Sequence, residues 1–172
     1  MQVTLITSVS SGKSTLYIEK RFSAKNLAQT ALEEIRIAHF LNHPCLTNIH
    51  FAFIEPGNIG ASVYFEFCDR GSLQDLIKNY SKRDPEELIP EAFLWHAFAG
   101  LIDALTYLTH GKGYIAHTNA LADPNWAPFI HRDIKPDNVL IRSRTRINSL
   151  KYPYLVIILP TSVLLKERAI FR

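Results

Sequence analysis

Strand-forming patterns are gathered before residue 68 and helix-forming patterns after it, and that segregation excludes most small folds. Gln2 to Thr7 alternates polar and apolar side chains, as a half-buried strand does. Thr15 to Phe22 repeats the pattern, with Leu16 and Ile18 on one face and Tyr17 and Glu19 on the other. The small residues Ser8 to Ser14 between them predict a turn. Ile49 to Ile54 and Ser62 to Phe67 are two further β-rich runs, separated by the turn signal Glu55-Pro56-Gly57-Asn58. One helix interrupts the strands, Ala24 to Leu41. Its Leu27, Ala31, Ile35 and Ala38 share a stripe, and Asn42-His43-Pro44 stops it. Beyond Phe67 the period changes. Ser72 is placed to cap a short helix, Leu73 to Tyr80. Pro90 to Thr109 is the strongest helix, and Phe93, Leu94, Ala97, Phe98, Leu101, Leu105 and Leu108 predict a broad face set in a core. Gly111 to Pro128 reads as a loop. The whole is an α+β pattern, sheet-rich first and helical second.

A core is within reach of this composition. Of 172 residues, 47% are hydrophobic and 20% charged, as in globular chains and unlike disordered ones. The net charge of +3 is too mild to argue for a nucleic-acid or membrane surface, so neither partner is expected. Cys45 and Cys68 sit in no metal-ligand spacing and read as two buried thiols in a reducing compartment. The N-terminus has no signal-peptide pattern, and the apolar run Tyr154 to Leu159 is too short to span a bilayer. These features point to the cytoplasm or nucleus.

The chemistry is concentrated in His131-Arg132-Asp133-Ile134-Lys135-Pro136-Asp137-Asn138-Val139-Leu140. Phosphoryl transfer to a hydroxyl asks little covalent work of a protein. It needs a group to orient the nucleophile and take its proton, cations at the phosphates, and hard ligands for magnesium. Asp133 can serve as the base. Lys135, two residues on, can point the same way in an extended loop and neutralise the moving phosphoryl. Asn138 offers an amide oxygen suited to Mg²⁺. Each residue alone is commonplace, but this many fixed types at fixed spacing are specific.

With that string the chain resembles eukaryotic protein kinases, and Lys135 gives it the look of the serine/threonine class. The resemblance runs from about Val3 to about Ile141. It implies a bilobal kinase-like fold, present in part: an N-lobe over residues 1–68 and a partial C-lobe over 69–146. It also implies transfer of the ATP γ-phosphoryl to a Ser or Thr hydroxyl of a protein substrate. On the same resemblance, Lys20 matches the lysine that contacts the α- and β-phosphates. Glu34 matches its helical partner, with Glu33 the competitor one residue away. Phe65 stands at the back of the adenine pocket, and backbone groups of Glu66 and Cys68 meet the adenine edge. Val3 matches the last position of the glycine-rich loop over the phosphates.

Two family features are absent from the sequence. There is no GxGxxG string, so that loop is expected upstream of Met1. There is no Asp-Phe-Gly, and no Asp at all follows Asp137, so the metal site lacks its main anionic ligand. The rest of the C-lobe is also missing, and residues 147–172 are expected to be a divergent or out-of-frame tail. The motive for the second option is that Leu159 to Leu165 has permitted codons which, read in another frame, give Ala-Asp-Phe-Gly-Leu-Ala. This hypothesis is refuted if the nucleotide sequence uses other codons there.

Two competing readings follow. The missing elements favour a pseudokinase-like module that binds nucleotide or protein without turnover. Thr7 to Ser14, ending Gly12-Lys13-Ser14 after an apolar run, resembles a P-loop, although its first glycine is replaced by Thr7 and a strand pattern follows. His39 and His43, four apart on a predicted helix, have metal-ligand spacing but lack the intervening Glu of a metalloprotease pattern, and we read them as structural.

Overall fold

The computed structural model describes residues 2–10, 13–23, 32–83, 87–112, 126–143, 154–157 and 164–165. The chain divides into two compact units, Met1–Asn42 with Thr47–Phe67, and His43–Leu46 with Cys68–Arg172.

The first unit is a four-stranded antiparallel sheet with one helix. Its strands are β1 (Gln2–Ser10), β2 (Lys13–Ser23), β3 (Ile49–Ile54) and β4 (Gly60–Glu66), in the order β1-β2-β4-β3. Register sets the two faces. Val3 lies opposite Lys20 and Leu5 opposite Ile18; across the other edge of β2, Ile18 faces Phe65, Lys20 faces Val63 and Phe22 faces Ala61. Because strand side chains alternate, these residues share one side. Phe22, Ala61, Val63 and Phe65 form its core, and Ile35 of helix α1 (Leu32–Phe40) packs on them. Residues 24–31 of the predicted longer helix lie outside the described residues. The predicted turn over Ser8 to Ser14 is corrected: Ser8–Ser10 pair with Lys13–Thr15. Ladder hydrogen bonds are made by the backbone, so small side chains did not end the strands. The boundaries of β3 match the sequence reading, while β4 begins and ends earlier than Ser62 to Phe67.

In the second unit α2 (Leu73–Ser81) starts from a capping box. The Ser72 hydroxyl accepts from the Asp75 N–H, and the Asp75 carboxylate accepts from the Ser72 N–H. The long α3 (Glu91–His110) follows, and Gly111 ends it at φ 71°, where a glycine carries no Cβ penalty. Two short pairs complete the unit. β5 (Phe129–Ile130) joins β8 (Leu164–Leu165), and β6 (Val139–Arg142) joins β7 (Tyr154–Ile157). Phe93 and Ala97 of α3 pack with Val139 and Ile141 of β6.

The expected broad face of α3 is only half buried. Phe93, Ala97, Gly100, Ala104 and Leu108 form one inward line, while Leu94 (47%) and Phe98 (57%) stay exposed. The neighbouring strands β5, β6 and β7 are short and cover a single stripe of the helix. By length and composition alone α3 could cross a membrane. Here Phe93 and Ala97 pack on β6 and Asp103 pairs with His43, as in a core helix.

Candidate active site

The string from His131 to Asn138 folds as a self-bonded loop between β5 and β6. His131 is buried, and its Nδ1 accepts the Asp133 N–H at 3.3 Å. Arg132 takes φ 70°, a left-handed conformation rare for a residue with a Cβ. That turn carries Asp133 out toward the half-exposed surface. Pro136–Asn138 forms one 3₁₀ turn, closed by the Asn138 N–H on the Lys135 carbonyl at 2.9 Å. Proline suits this place because its fixed φ fits the first turn and its absent N–H is not needed there. The turn aims Asn138 back at Asp133. Its Nδ2 donates to the Asp133 carbonyl and to Asp133 Oδ2, both at 2.8 Å. Lys135 Nζ stands 3.2 Å from Asp133 Oδ2. Three of the residues selected from the sequence, Asp133, Lys135 and Asn138, are therefore brought together.

The electrostatics follow from these contacts. The hydrogen bonds from Lys135 and Asn138 hold the Asp133 carboxyl below the usual carboxylate range, against a small opposing effect of burial, and the charges of Lys135 and His131 add to the lowering. An aspartate so held is ionised at neutral pH. It is better suited to orienting a hydroxyl than to removing its proton early, since a strong general base has a pKa near the working pH.

The remaining selected residues fall in different places. Lys20 is half-buried on the core side of the sheet, its Nζ 5.2 Å from the centre of the Phe22 ring, while Arg21 points to the opposite, exposed side. Val3 lies opposite Lys20 on that same side. Glu34 belongs to α1, but its side chain is outside the described residues, as is that of Glu33. Glu66 is buried; its N–H donates to the Asn48 carbonyl and its Oε1 accepts the Asn48 N–H, at 3.2 and 3.1 Å. Phe65 is buried in the sheet core. Cys68 and Cys45 are buried, free thiols, and burial pushes Cys45 up to about 11.

The P-loop reading is corrected. A phosphate-cradling loop needs a helix N-terminus after it, and Lys13 instead opens the strand β2. The histidine pair is structural: His39 is exposed, whereas His43 is buried with Nε2 3.0 Å from Asp103 Oδ2. Magnesium is served only in part. Among the described residues no group of three His, Cys, Asp or Glu could hold a metal ion. The amide oxygen of Asn138 is one hard donor, and the nearby Asp133 carboxylate is already engaged by Lys135 and Asn138. Mg²⁺ wants octahedral oxygen ligation with at least a carboxylate or two, so the donors described do not complete its site.

Sequence reasoning missed two polar clusters. One is the buried Asp103–His43 pair, signalled only by an Asp in the middle of an apolar helix. The other ties Asp69 and Arg70 to Ser143, residues 74 and 73 positions apart, for which no local signal exists.

Comparison with known proteins agrees with the loop. Residues 10–151 match the protein kinase domain family. Among curated relatives, the chain is 28% identical over 116 residues to the dual specificity mitogen-activated protein kinase kinase dSOR1 of Drosophila melanogaster. That alignment covers 67% of this chain and 24% of the relative, so the chain spans about a quarter of the relative's length.

Proposed function

This chain belongs to the protein kinase family, and on that premise we propose that it carries the ATP-binding and catalytic-loop portion of a protein serine/threonine kinase. Its α+β architecture is a kinase fold in part. The observation that supports the reading best is the Asp133–Lys135–Asn138 constellation, an ammonium and an amide each within 3.2 Å of one carboxylate. Bound ATP would supply the phosphoryl group. Asp133 would orient the substrate hydroxyl and receive its proton late in the transfer. Lys135, now on Asp133, would lie beside the incoming negative charge. Asn138 would hold the Asp133 carboxylate in its rotamer. Lys20 would contact the phosphates, Glu34 would hold Lys20, Val3 would cover the nucleotide, and the Glu66 and Cys68 backbone would meet its adenine edge. Because the donors for Mg²⁺ are incomplete, we derive no step through the metal, and we expect weak or no turnover from these residues alone.

That shortage favours a second reading, a pseudokinase-like module that binds nucleotide or a protein without transfer. One experiment separates the two. The full chain is given Mg²⁺ and labelled ATP with a protein substrate carrying Ser, Thr and Tyr, because the relative's name records dual specificity. Nucleotide binding is measured in parallel with a fluorescent analogue. Transfer abolished by Asp133→Asn supports the enzyme. Binding with no transfer supports the module, and neither binding nor transfer refutes both the enzyme and a nucleotide-binding module.

A further inference from the structure

β6 begins at Val139, the residue after Asn138, and its far end is strapped to residues 69–72. The Ser143 N–H donates to Asp69 Oδ1 at 2.6 Å. Arg70 Nε donates to Ser143 Oγ, also at 2.6 Å, and stands 3.5 Å from Asp69 Oδ2. The backbone continues the strap: the Arg70 N–H donates to the Ile141 carbonyl at 3.0 Å, and the Ile141 N–H to the Gly71 carbonyl at 2.8 Å. Ser72 and Leu140 form an isolated antiparallel bridge. Gly71 adopts φ 72°, where an added Cβ would come within 3.1 Å of Asp75 Oδ2. The strand is thus held by β7 on one edge, by this segment at the other, and by the α3 core on the face that buries Val139 and Ile141.

We propose that Asp69, acting through the Ser143 N–H, is a positioning residue for the catalytic loop: it fixes β6 in place, and so fixes Asn138 against Asp133. The inference rests on the reading of that loop as the reacting site. The chemistry suits the task. A carboxylate accepting a main-chain N–H makes a charge-assisted bond, stronger and more directional than a neutral one. The bond spans a large sequence separation, so it restrains a strand that local contacts leave free to slide. Asp69 also follows Cys68 directly, so the same strap ties the neighbour of Cys68 to the strand that begins after Asn138.

The test reads Asn138 itself. In the full chain, NMR resolves the side-chain amide of Asn138, and hydrogen exchange reports the amides of 138–143. Asp69→Ala is expected to move the Asn138 side-chain resonances and to speed exchange in that segment about tenfold, the effect of losing one such hydrogen bond. Asp69→Asn keeps an acceptor oxygen and is expected to restore both readouts to within about threefold of wild type. A purely stabilising surface contact would instead change global denaturation without moving the Asn138 signal. Asp69→Glu guards against misfolding, since it keeps the charge at an exposed position while displacing the acceptor by a methylene, and it is expected to move the same resonances. Unmoved resonances in both Asp69→Ala and Asp69→Glu overturn the proposal. If wild type neither binds nor transfers phosphate from ATP, the kinase reading fails on its own assay, while the resonances still judge the strap.

Discussion

Removing the imidazole of His43 should damage the second unit more than any change on its surface. His43 and Asp103 are each 2% exposed, and His43 Nε2 lies 3.0 Å from Asp103 Oδ2. On the other side of the ring, Nδ1 accepts the Cys45 N–H at 3.2 Å, which places the proton on Nε2 and aims it at Asp103. The ring also stacks on Tyr107, with centroids 5.0 Å apart. His43→Ala strips the carboxylate of a partner, leaves the Cys45 N–H without its acceptor and opens a gap against Tyr107. With the ring neutral, His43→Ala removes a hydrogen bond to a buried carboxylate, a loss of about 1.5–3 kcal/mol. A domain's whole stability is only about 5–15 kcal/mol, so this is a large share. His43→Gln keeps a donor toward Asp103 and should cost about half as much.

The same pair gives a pH signature. Burial pushes the His43 imidazole below the ordinary histidine value, against the opposing charge and hydrogen bond of Asp103. The folded ring therefore resists protonation more than the unfolded one. Its contribution to stability is complete above the unfolded value of 6.5 and is lost as pH falls from there through the folded value. Urea denaturation of the full chain at pH 7.5 and 5.5 measures both effects. Wild type should lose stability between the two, and His43→Gln should lose less. A His43→Ala cost below about 1 kcal/mol at pH 7.5, or equal pH dependence in wild type and His43→Gln, would refute the reasoning.

Gly111→Ala forces a side chain into a left-handed conformation and places its Cβ 2.6 Å from Trp126 Cδ2, so it should cost more than about 2 kcal/mol and shift tryptophan emission; an unchanged spectrum and melting midpoint would contradict it. Lys135→Met removes the first of the hydrogen bonds that hold Asp133 low, so the Asp133 carboxyl should titrate closer to its ordinary value in an NMR pH series.

What the sequence revealed depends on the range of the interaction. The loop is legible because its contacts lie within eight residues: Asp133 with His131, Lys135 and Asn138. The β3 run and the α2 cap are legible for the same reason, since alternation and capping are local. Lys20 was selected by resemblance alone, and the register places it on the face of Phe22 and Val63. The half-bare face of α3 was misread because apolarity gives a helix's capacity for burial, whereas the width of its partner decides how much is used. Asp103 with His43, and Asp69 with Ser143, were missed because each pairing joins residues at least sixty positions apart.

Forming the loop and transferring phosphate make different demands on a chain. Among the described residues, the polar contacts of Asp133 come from its own loop. Turnover has a different requirement, since charge on a transferring phosphoryl must be met by cations, and most of that stabilisation comes through magnesium. At the described loop magnesium finds the Asn138 amide oxygen and the Asp133 carboxylate, the latter already bonded to Lys135 and Asn138. A complete Mg²⁺ site at this loop would therefore need an acidic ligand beyond Asp133.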